Sequence, residues 1–296
     1  MIIDIVIPTY NRSESLKRTA QSLFTAHPSD KINFNLYIVD NNSTDRTKTV
    51  IEELNNEFKG NIHYLFEPQQ GMDMAKNSAL KAAKGDVLIF TDDDVTFGPG
   101  WLKSISENFK NPAVHCLTGK IIPVYNHEKP SWYSDKLSCV IGYVDYGEQR
   151  TTVDHATGAN TALRRETFQK LGGFTARKDL INEDTFLSQK LLLSGYEIIY
   201  DPRMVICHHF QKEKFTKPYF RKWYWKSGRS ISVLNFQKDR QYKQFIGIPL
   251  WRFRQSIEHT AKMIIHMFNK PLCFYHELQL RRFFGFCYQR WFRQHP

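Results

Sequence analysis

The chain has 296 residues, 41% of them hydrophobic, which excludes a disordered or low-complexity protein and suits one large packed domain or a domain with an appended subdomain. No run reaches the roughly 18 uninterrupted apolar residues of a membrane span, and the opening Met-Ile-Ile-Asp-Ile-Val-Ile-Pro has no basic segment of a secretion signal, so a cytoplasmic location is expected. The formal net charge of +11 is uneven: residues 211–296 hold 18 Lys and Arg against four acids, a balance of +14, which leaves −3 for residues 1–210.

Over the first 95 residues, strand-like and helix-like segments alternate. Residues 2–7 form a β-branched run that stops at Pro8, and a helix follows from near Ser13 with Leu16, Ala20, Leu23 and Phe24 at helical spacing. Residues 35–39 read as a second strand, 40–45 as a turn and cap signal, and 46–58 as a helix. A third strand at 62–66 leads through Gly71 into a helix at 74–83, and 86–90 is the fourth strand. This alternation predicts an α/β fold, a mostly parallel central sheet with helices on both faces. Beyond Trp101 it weakens. Residues 116–118 and 120–124 look like strands, and 125–147 like an aromatic, substrate-facing loop. Residues 157–174 read as a glycine-entered strand and a helix ending at Gly172-Gly173. Next come a helix with Leu187, Leu191 and Leu192 inward, stopped by Gly195, and a short strand at 197–200. Residues 1–210 are expected to form one catalytic α/β domain and 211–296 a helical, basic and aromatic extension. Five widely spaced cysteines with no Cys-x-x-Cys pair read as reduced and structural.

Ligands of such sheets bind at the carboxyl ends of the strands. Three of the four ends carry polar clusters, PTYNR at 8–12, VDNNSTD at 39–45 and TDDD at 91–94, which should converge on one crevice. A solvated acidic turn explains one such end better than three on the same edge. Adjacent carboxylates suit a hard divalent cation, magnesium or manganese, rather than zinc. Alternation along the chain would point Asp92 and Asp94 one way and Asp93 another. A cation held by one or two carboxylates completes its shell with substrate phosphates, which implies a nucleotide. Asn-Glu-Asp at 182–184 reads locally as a helix cap and first turn.

PTYNR, VDNNSTD, GMDMAKNSALKAAKGDVLIFTDDDV and GAN…RRETF…GGF…NED, in this order and spacing, resemble the inverting family 2 glycosyltransferases with their A-type nucleotide-sugar-binding fold. The resemblance covers residues 1–210. It implies that Pro8, Thr9, Tyr10, Asn11, Arg12, Asn42, Gly71 and Asp93 belong to the nucleotide pocket, that Asp40 recognises the base, and that Lys76 and Asn77 stand near the diphosphate. Asp92 and Asp94 would form the D-x-D motif, Asp94 as direct ligand of Mn2+ or Mg2+ and Asp92 nearer the ribose, with His208 or His209 as a third contact. Gly158, Ala159 and Asn160 would shape the sugar and acceptor site. Asp184, with Glu183 beside it, would be the base that takes the acceptor's proton. The implied donor is a nucleotide-diphosphate sugar, UDP being the commonest base in the family, and the acceptor a saccharide or lipid-linked precursor. The Gln-x-x-Arg-Trp signature of processive synthases is missing, so single addition is expected. The rival is a catalytically silent relative that only holds nucleotide or membrane; the crowded acids Asp94 and Asp184 favour the enzyme.

In the extension, residues 215–230 crowd Phe, Tyr and Trp among Lys and Arg. Nucleic acid is one partner for such a stripe, but no nucleic-acid module accompanies it. Two further helical segments, 248–268 and 272–292, split at Pro271, mix Trp251, Ile257, Ile264, Phe274, Leu278 and Phe284 with Arg and Lys. Such helices can lie in the headgroup layer of an anionic leaflet, which would make the protein peripheral at the inner face of the cell membrane. The alternative is packing against the rest of the chain or a second subunit.

Overall fold

The computed structural model of the protein describes residues 1–27, 32–58, 61–125, 127–175, 181 and 183–293. Asn182 of the Asn-Glu-Asp triplet lies outside them. The chain forms two units, one from Met1–Val124, Gly142–Lys178 and Glu183–His209, the other from Tyr125–Ile141, Asp179–Asn182 and Phe210–Pro296. The stretch 125–147, read from sequence as one loop, is divided between them at Ile141.

The first unit contains β1 (Ile3–Thr9), α1 (Ser13–Ala26), β2 (Phe34–Asp40), α2 (Thr47–Glu57), β3 (Ile62–Phe66), α3 (Met72–Ala82), β4 (Val87–Thr91), β5 (Val95–Phe97), α4 (Trp101–Asn108) and β6 (Cys116–Val124). It continues with β7 (Thr151–Val153), β8 (Asn160–Arg164), α5 (Arg165–Lys170), α6 (Glu183–Leu193) and β9 (Ile198–His209). Among the described residues nine strands make one sheet in the order β3-β2-β1-β4-β8-β6-β9-β5, with β7 on β9. The predicted parallel core is β3-β2-β1-β4. Beyond it β8 runs antiparallel to both β4 and β6, and the sheet becomes mixed.

Side-chain alternation sorts this sheet into layers. Ile3, Ile5 and Ile7 pack with Leu16 and Leu23 of α1, Val50 and Leu54 of α2 and Trp101 of α4, whereas Val6 joins Ala75 and Ala79 of α3 and Leu187 and Leu191 of α6 on the opposite face. Leu192, expected inward, is 42% exposed. Leu187 and Leu191 stand one turn apart on the buried face, and the next residue is about 100° further round the helix. The strand expected to stop at Tyr200 runs on to His209. Pairing of β9 with β6 lapses between Asp201 and Ile206 and then resumes, which accommodates the missing N–H of Pro202.

In the second unit the aromatic stretch forms α7 (Lys217–Leu234), capped by the Thr216 hydroxyl, which accepts from Tyr219 N, with Pro218 in the first turn. After it come α8 (Phe236–Asp239), β10 (Gln244–Phe245), β11 (Ile248–Pro249), α9 (Leu250–Ile265) and α10 (Lys270–Phe292). Helices α7 and α10 meet backbone to backbone. A Cβ on Gly228 would lie 1.9 Å from the Arg282 carbonyl oxygen, and one on Gly285 2.2 Å from that of Trp225. Phe274 and Leu278 of α10 are buried with Phe215, Phe220 and Tyr224, so these two of the residues expected to meet lipid are used in the core, while Phe284 is 56% exposed. Helix α9 has no buried residue. Among the described residues no helix is long and apolar enough to cross a membrane.

Candidate active site

Strand register brings the polar clusters together. Thr9 pairs with Asp40, Val6 with Phe90 and Thr91 with Asn160, so the ends of β1, β2 and β4 and the start of β8 share one edge. From the mixed half of the sheet, β9 places His208 opposite Val95, directly after the acids.

Asp93 accepts from Thr9 Oγ1 at 2.7 Å and from Arg12 Nη1 at 2.7 Å. The same Arg12 nitrogen donates to Asp94 Oδ2 at 2.9 Å. Asp92, Asp94 and His208 each offer one ligand atom, all within 4.8 Å of one another, and His208 Nε2 is 3.2 Å from Asp94 Oδ1. His209, on the other side of the strand, has its Nε2 3.0 Å from Thr96 Oγ1. Burial, opposed by Lys76 and reinforced by Asp94, pushes the Asp92 carboxyl up to about 6. Burial also raises Asp93 despite Arg12.

The two acids that open α6 have different surroundings. Glu183 Oε1 accepts from Lys76 Nζ at 3.0 Å, and that ammonium is 5.0 Å from the centre of the Phe174 ring. Burial would lift the Glu183 carboxyl, but Lys76 outweighs it and holds the group below the usual carboxylate range. Asp184 accepts from Gly158 N at 3.1 Å through Oδ2 and from Thr185 N at 2.8 Å through Oδ1. A Cβ on Gly158 would sit 3.1 Å from Lys76 Nζ and 3.5 Å from Asp184 Cβ, so glycine is what lets this backbone approach both groups. His155 Nε2 lies 3.7 Å from Asp184 Oδ2. Five carboxylates (Asp92, Asp93, Asp94, Glu183, Asp184) thus gather around two permanent cations, Arg12 and Lys76.

Around the rest of the edge, Asp40 accepts from Ser43 N at 2.9 Å and from Tyr64 O–H at 3.2 Å. Burial and then this carboxylate push the Tyr64 hydroxyl up to about 12. Asn11, at φ 51°, accepts from Thr44 N at 2.7 Å and so braces the first two strand ends against each other. Tyr10 and Asn42 are exposed, and Pro8 is buried. Gly71 N donates to Asn41 Oδ1 at 2.8 Å.

Two expected binding residues have their amides engaged elsewhere. Asn160 is 0% exposed; its Oδ1 accepts from Trp101 Nε1 at 2.9 Å, and its Nδ2 donates to the Lys120 and Met204 carbonyls at 3.1 and 2.8 Å. Its amide is consumed inside the sheet and does not face the crevice. Asn77 brackets Phe174, donating to its carbonyl at 2.9 Å and accepting from its N–H at 3.0 Å, which positions the ring beside Lys76. Sequence reasoning missed His155, Asn41 and Thr19, whose hydroxyl is 2.9 Å from the Asp93 carbonyl. Asn41 lies within the VDNNSTD cluster, whereas His155 and Thr19 are single residues in no pattern, so only the folded arrangement reveals those two.

Comparison with known proteins settles the family: the model for glycosyl transferase family 2 matches residues 4–172. The chain belongs to glycosyltransferase family 2. This glycosyltransferase is 24% identical over 269 residues to the succinoglycan biosynthesis protein ExoM of Rhizobium meliloti, an alignment covering 88% of this chain and 84% of that one. It is 23% identical over 188 residues to the glucosyl-dolichyl phosphate glucuronosyltransferase of Haloferax volcanii, covering 60% of this chain and 58% of that one. In fold it resembles the mannosyltransferase PcManGT of Pyrobaculum calidifontis, solved with GDP-Man and Mn2+, at a TM-score of 0.67 and 16% identity over 99% of this chain and 88% of that one. The sheet and its helices are therefore the glycosyltransferase A-type fold.

Proposed function

We propose that this enzyme moves a sugar, with inversion and with a divalent metal, from a nucleotide-diphosphate sugar, a UDP-sugar first among them, to a hydroxyl of a saccharide or lipid-linked precursor. One observation carries the reading. Asp92, Asp94 and His208 converge within 4.8 Å, and the buried Lys76 ammonium is felt by Asp92 and Asp184 alike. This supports a candidate metal site with the candidate base nearby.

Two carboxylates and an imidazole are a donor set that fits manganese, and magnesium by its oxygens. The excess of carboxylates over Arg12 and Lys76 would otherwise repel a diphosphate. When bound, the ion supplies positive charge to the departing diphosphate. Arg12 holds the acidic loop by Asp93 and Asp94. Asp40 and the Pro8 to Arg12 loop take the base and ribose, and Lys76 stands near the diphosphate. Asp184, fixed by Gly158 N–H and its own helix start, accepts the acceptor's hydroxyl proton as the new C–O bond forms and the bond to the diphosphate breaks. A single displacement of this kind inverts the anomeric carbon. Glu183, bound to Lys76, is the poorer base and serves to hold that ammonium.

The Rhizobium relative is named for succinoglycan biosynthesis and the Haloferax relative for a glucosyl-dolichyl phosphate acceptor. Both names support a polysaccharide or lipid-linked acceptor, one sugar per encounter, at the inner face of the cell membrane with the extension in contact with it. The test is nucleotide release from a panel of UDP- and GDP-sugars with Mn2+ or with chelator. Release from a UDP-sugar, abolished by chelator and lowered about 10²–10⁴-fold in Asp184→Asn with donor affinity kept, is the expected result. Release by no donor, or full turnover in Asp184→Asn, overturns the proposal.

A further inference from the structure

Helix α9 has two unlike faces, one covered and mostly polar, the other exposed and apolar. Arg252, Ser256, His259, Met263 and His266, spaced four and three apart, are partly covered, and His259 Nδ1 meets His276 Nδ1 of α10 at 2.9 Å. This face lies on α10. On the opposite side, at about 100° per residue, run Leu250, Ile257, Ala261, Ile264 and, in the turn beyond the helix, Phe268. Ile257 is 70% exposed, Ile264 62% and Phe268 92%. The covered face already joins the helix to its fold; an apolar stripe on the opposite side, left largely exposed by the described residues, marks an interaction surface.

The hairpin of β10 and β11 gives an independent sign. Its two turn residues, Ile246 and Gly247, have φ 49° and 72°, the positive pair of a type I′ turn, for which Asn-Gly is the favoured sequence. A β-branched residue is strained there, and Ile246 is also 62% exposed. Neither backbone preference nor burial within the chain accounts for it. The tip is tied into the same surface: Trp291 Nε1 donates to the Ile246 carbonyl at 2.8 Å, and the Phe245 ring is 5.9 Å from that of Phe253 in α9.

Charge selects the occupant. Residues 211–296 carry +14, and Arg254, Lys262 and Lys270 are exposed beside the apolar stripe. Long basic side chains can lay their stems along an apolar surface and keep their charges at phosphate level. A second copy would set like charge against like, whereas an anionic bilayer offers an apolar interior under a negative surface.

We propose that the outer face of α9 and the Ile246 tip form an interfacial membrane-binding surface that inserts Ile246, Ile257, Ile264 and Phe268 into an anionic leaflet. This sharpens the membrane placement given above and does not depend on the catalytic reading. The full chain, without donor, is floated with phosphatidylcholine vesicles with and without phosphatidylglycerol, so failed catalysis leaves the result intact. Wild type should float with the anionic vesicles, less so in high salt. Ile264→Asn with Phe268→Asn should lower partitioning about a hundredfold, tenfold for each large apolar side chain. Ile246→Asn should lower it about tenfold while raising Tm, because Asn suits the turn; that readout separates insertion from misfolding. Wild type left unfloated by anionic vesicles, or variants floating as well as wild type, overturns the proposal. So does a wild-type dimer that the Phe268→Asn variant dissociates, which would assign the face to a second copy.

Discussion

Replacing Lys76 by Met tests how the base pair of acids is wired. Lys76 is 1% exposed, and its ammonium lies 3.0 Å from Glu183 Oε1. Met matches the length of the side chain without the charge, so the cost is electrostatic rather than a cavity. Breaking a buried ion pair costs about 3–5 kcal/mol. The Glu183 side chain is 27% exposed, and water reaching it brings the expected loss to about 3 kcal/mol. Glu183→Gln keeps an amide oxygen before the ammonium and should cost about 2 kcal/mol, the scale of a hydrogen bond to a charged group. Asp92 and Asp184 also feel the ammonium, so the double variant does not return to wild type, but it should be about 2 kcal/mol more stable than the sum of the single losses predicts. Urea unfolding of the four proteins measures this coupling. A coupling below about 0.5 kcal/mol refutes the pairing, because independent sites add within that range. Turnover addresses the chemistry: Glu183→Gln should stay within about tenfold of wild type, while a separate Asp184→Asn variant falls by far more. The reverse order would make Glu183 the base.

Manganese at a hundred times its dissociation constant should stabilise the protein by about 2.7 kcal/mol, a Tm rise of about 5 °C in thermal unfolding. Asp94→Asn and His208→Ala should each abolish the rise, and a rise unchanged by Asp94→Asn would place the ion elsewhere. In the second unit, burial and the neighbouring His259, His266, Lys262 and Lys136 push the His276 imidazole down to about 4. The unfolded chain binds that proton near pH 6.5, the folded chain only near pH 4, so the contribution is complete above pH 6.5 and is lost as pH falls to 4, by up to about 3 kcal/mol. His276→Leu should flatten the urea midpoint over that window; an undiminished slope would refute the assignment.

Much of this was readable before the fold, and the reasons differ by element. The parallel core could be read because β1 to β4 and their helices are local, with β1 and β4 buried along their whole length and the helices amphipathic. Strands β5 and β7, three residues each, carry too little pattern to find. Pro202 hid the length of β9, since a proline normally ends a central strand, and with it the reason His208 rather than His209 reaches the acids. Asn160 sits in a motif that points to the crevice, yet its amide partners, Trp101, Lys120 and Met204, come from distant segments. Pattern located the right loop there and could not say which way the side chain turns.

The pairing of the acids also separates support from chemistry. Arg12 is committed to Asp93 and Asp94, and Lys76 to Glu183, by bonds of 2.7 to 3.0 Å. Among the described residues neither Asp92 nor Asp184 makes an ion pair with a Lys or Arg side chain. A carboxylate with no fixed cation on it keeps both oxygens for a bound ion, and a base must keep a lone pair that no fixed cation holds. The two carboxylates left over after the internal pairing are therefore among those that the proposed reaction needs, and burying them costs stability that only a bound cation and substrate return. Asp94 stands between the groups, held by Arg12 on one oxygen and facing His208 with the other, which is the position of a ligand that the protein itself orients.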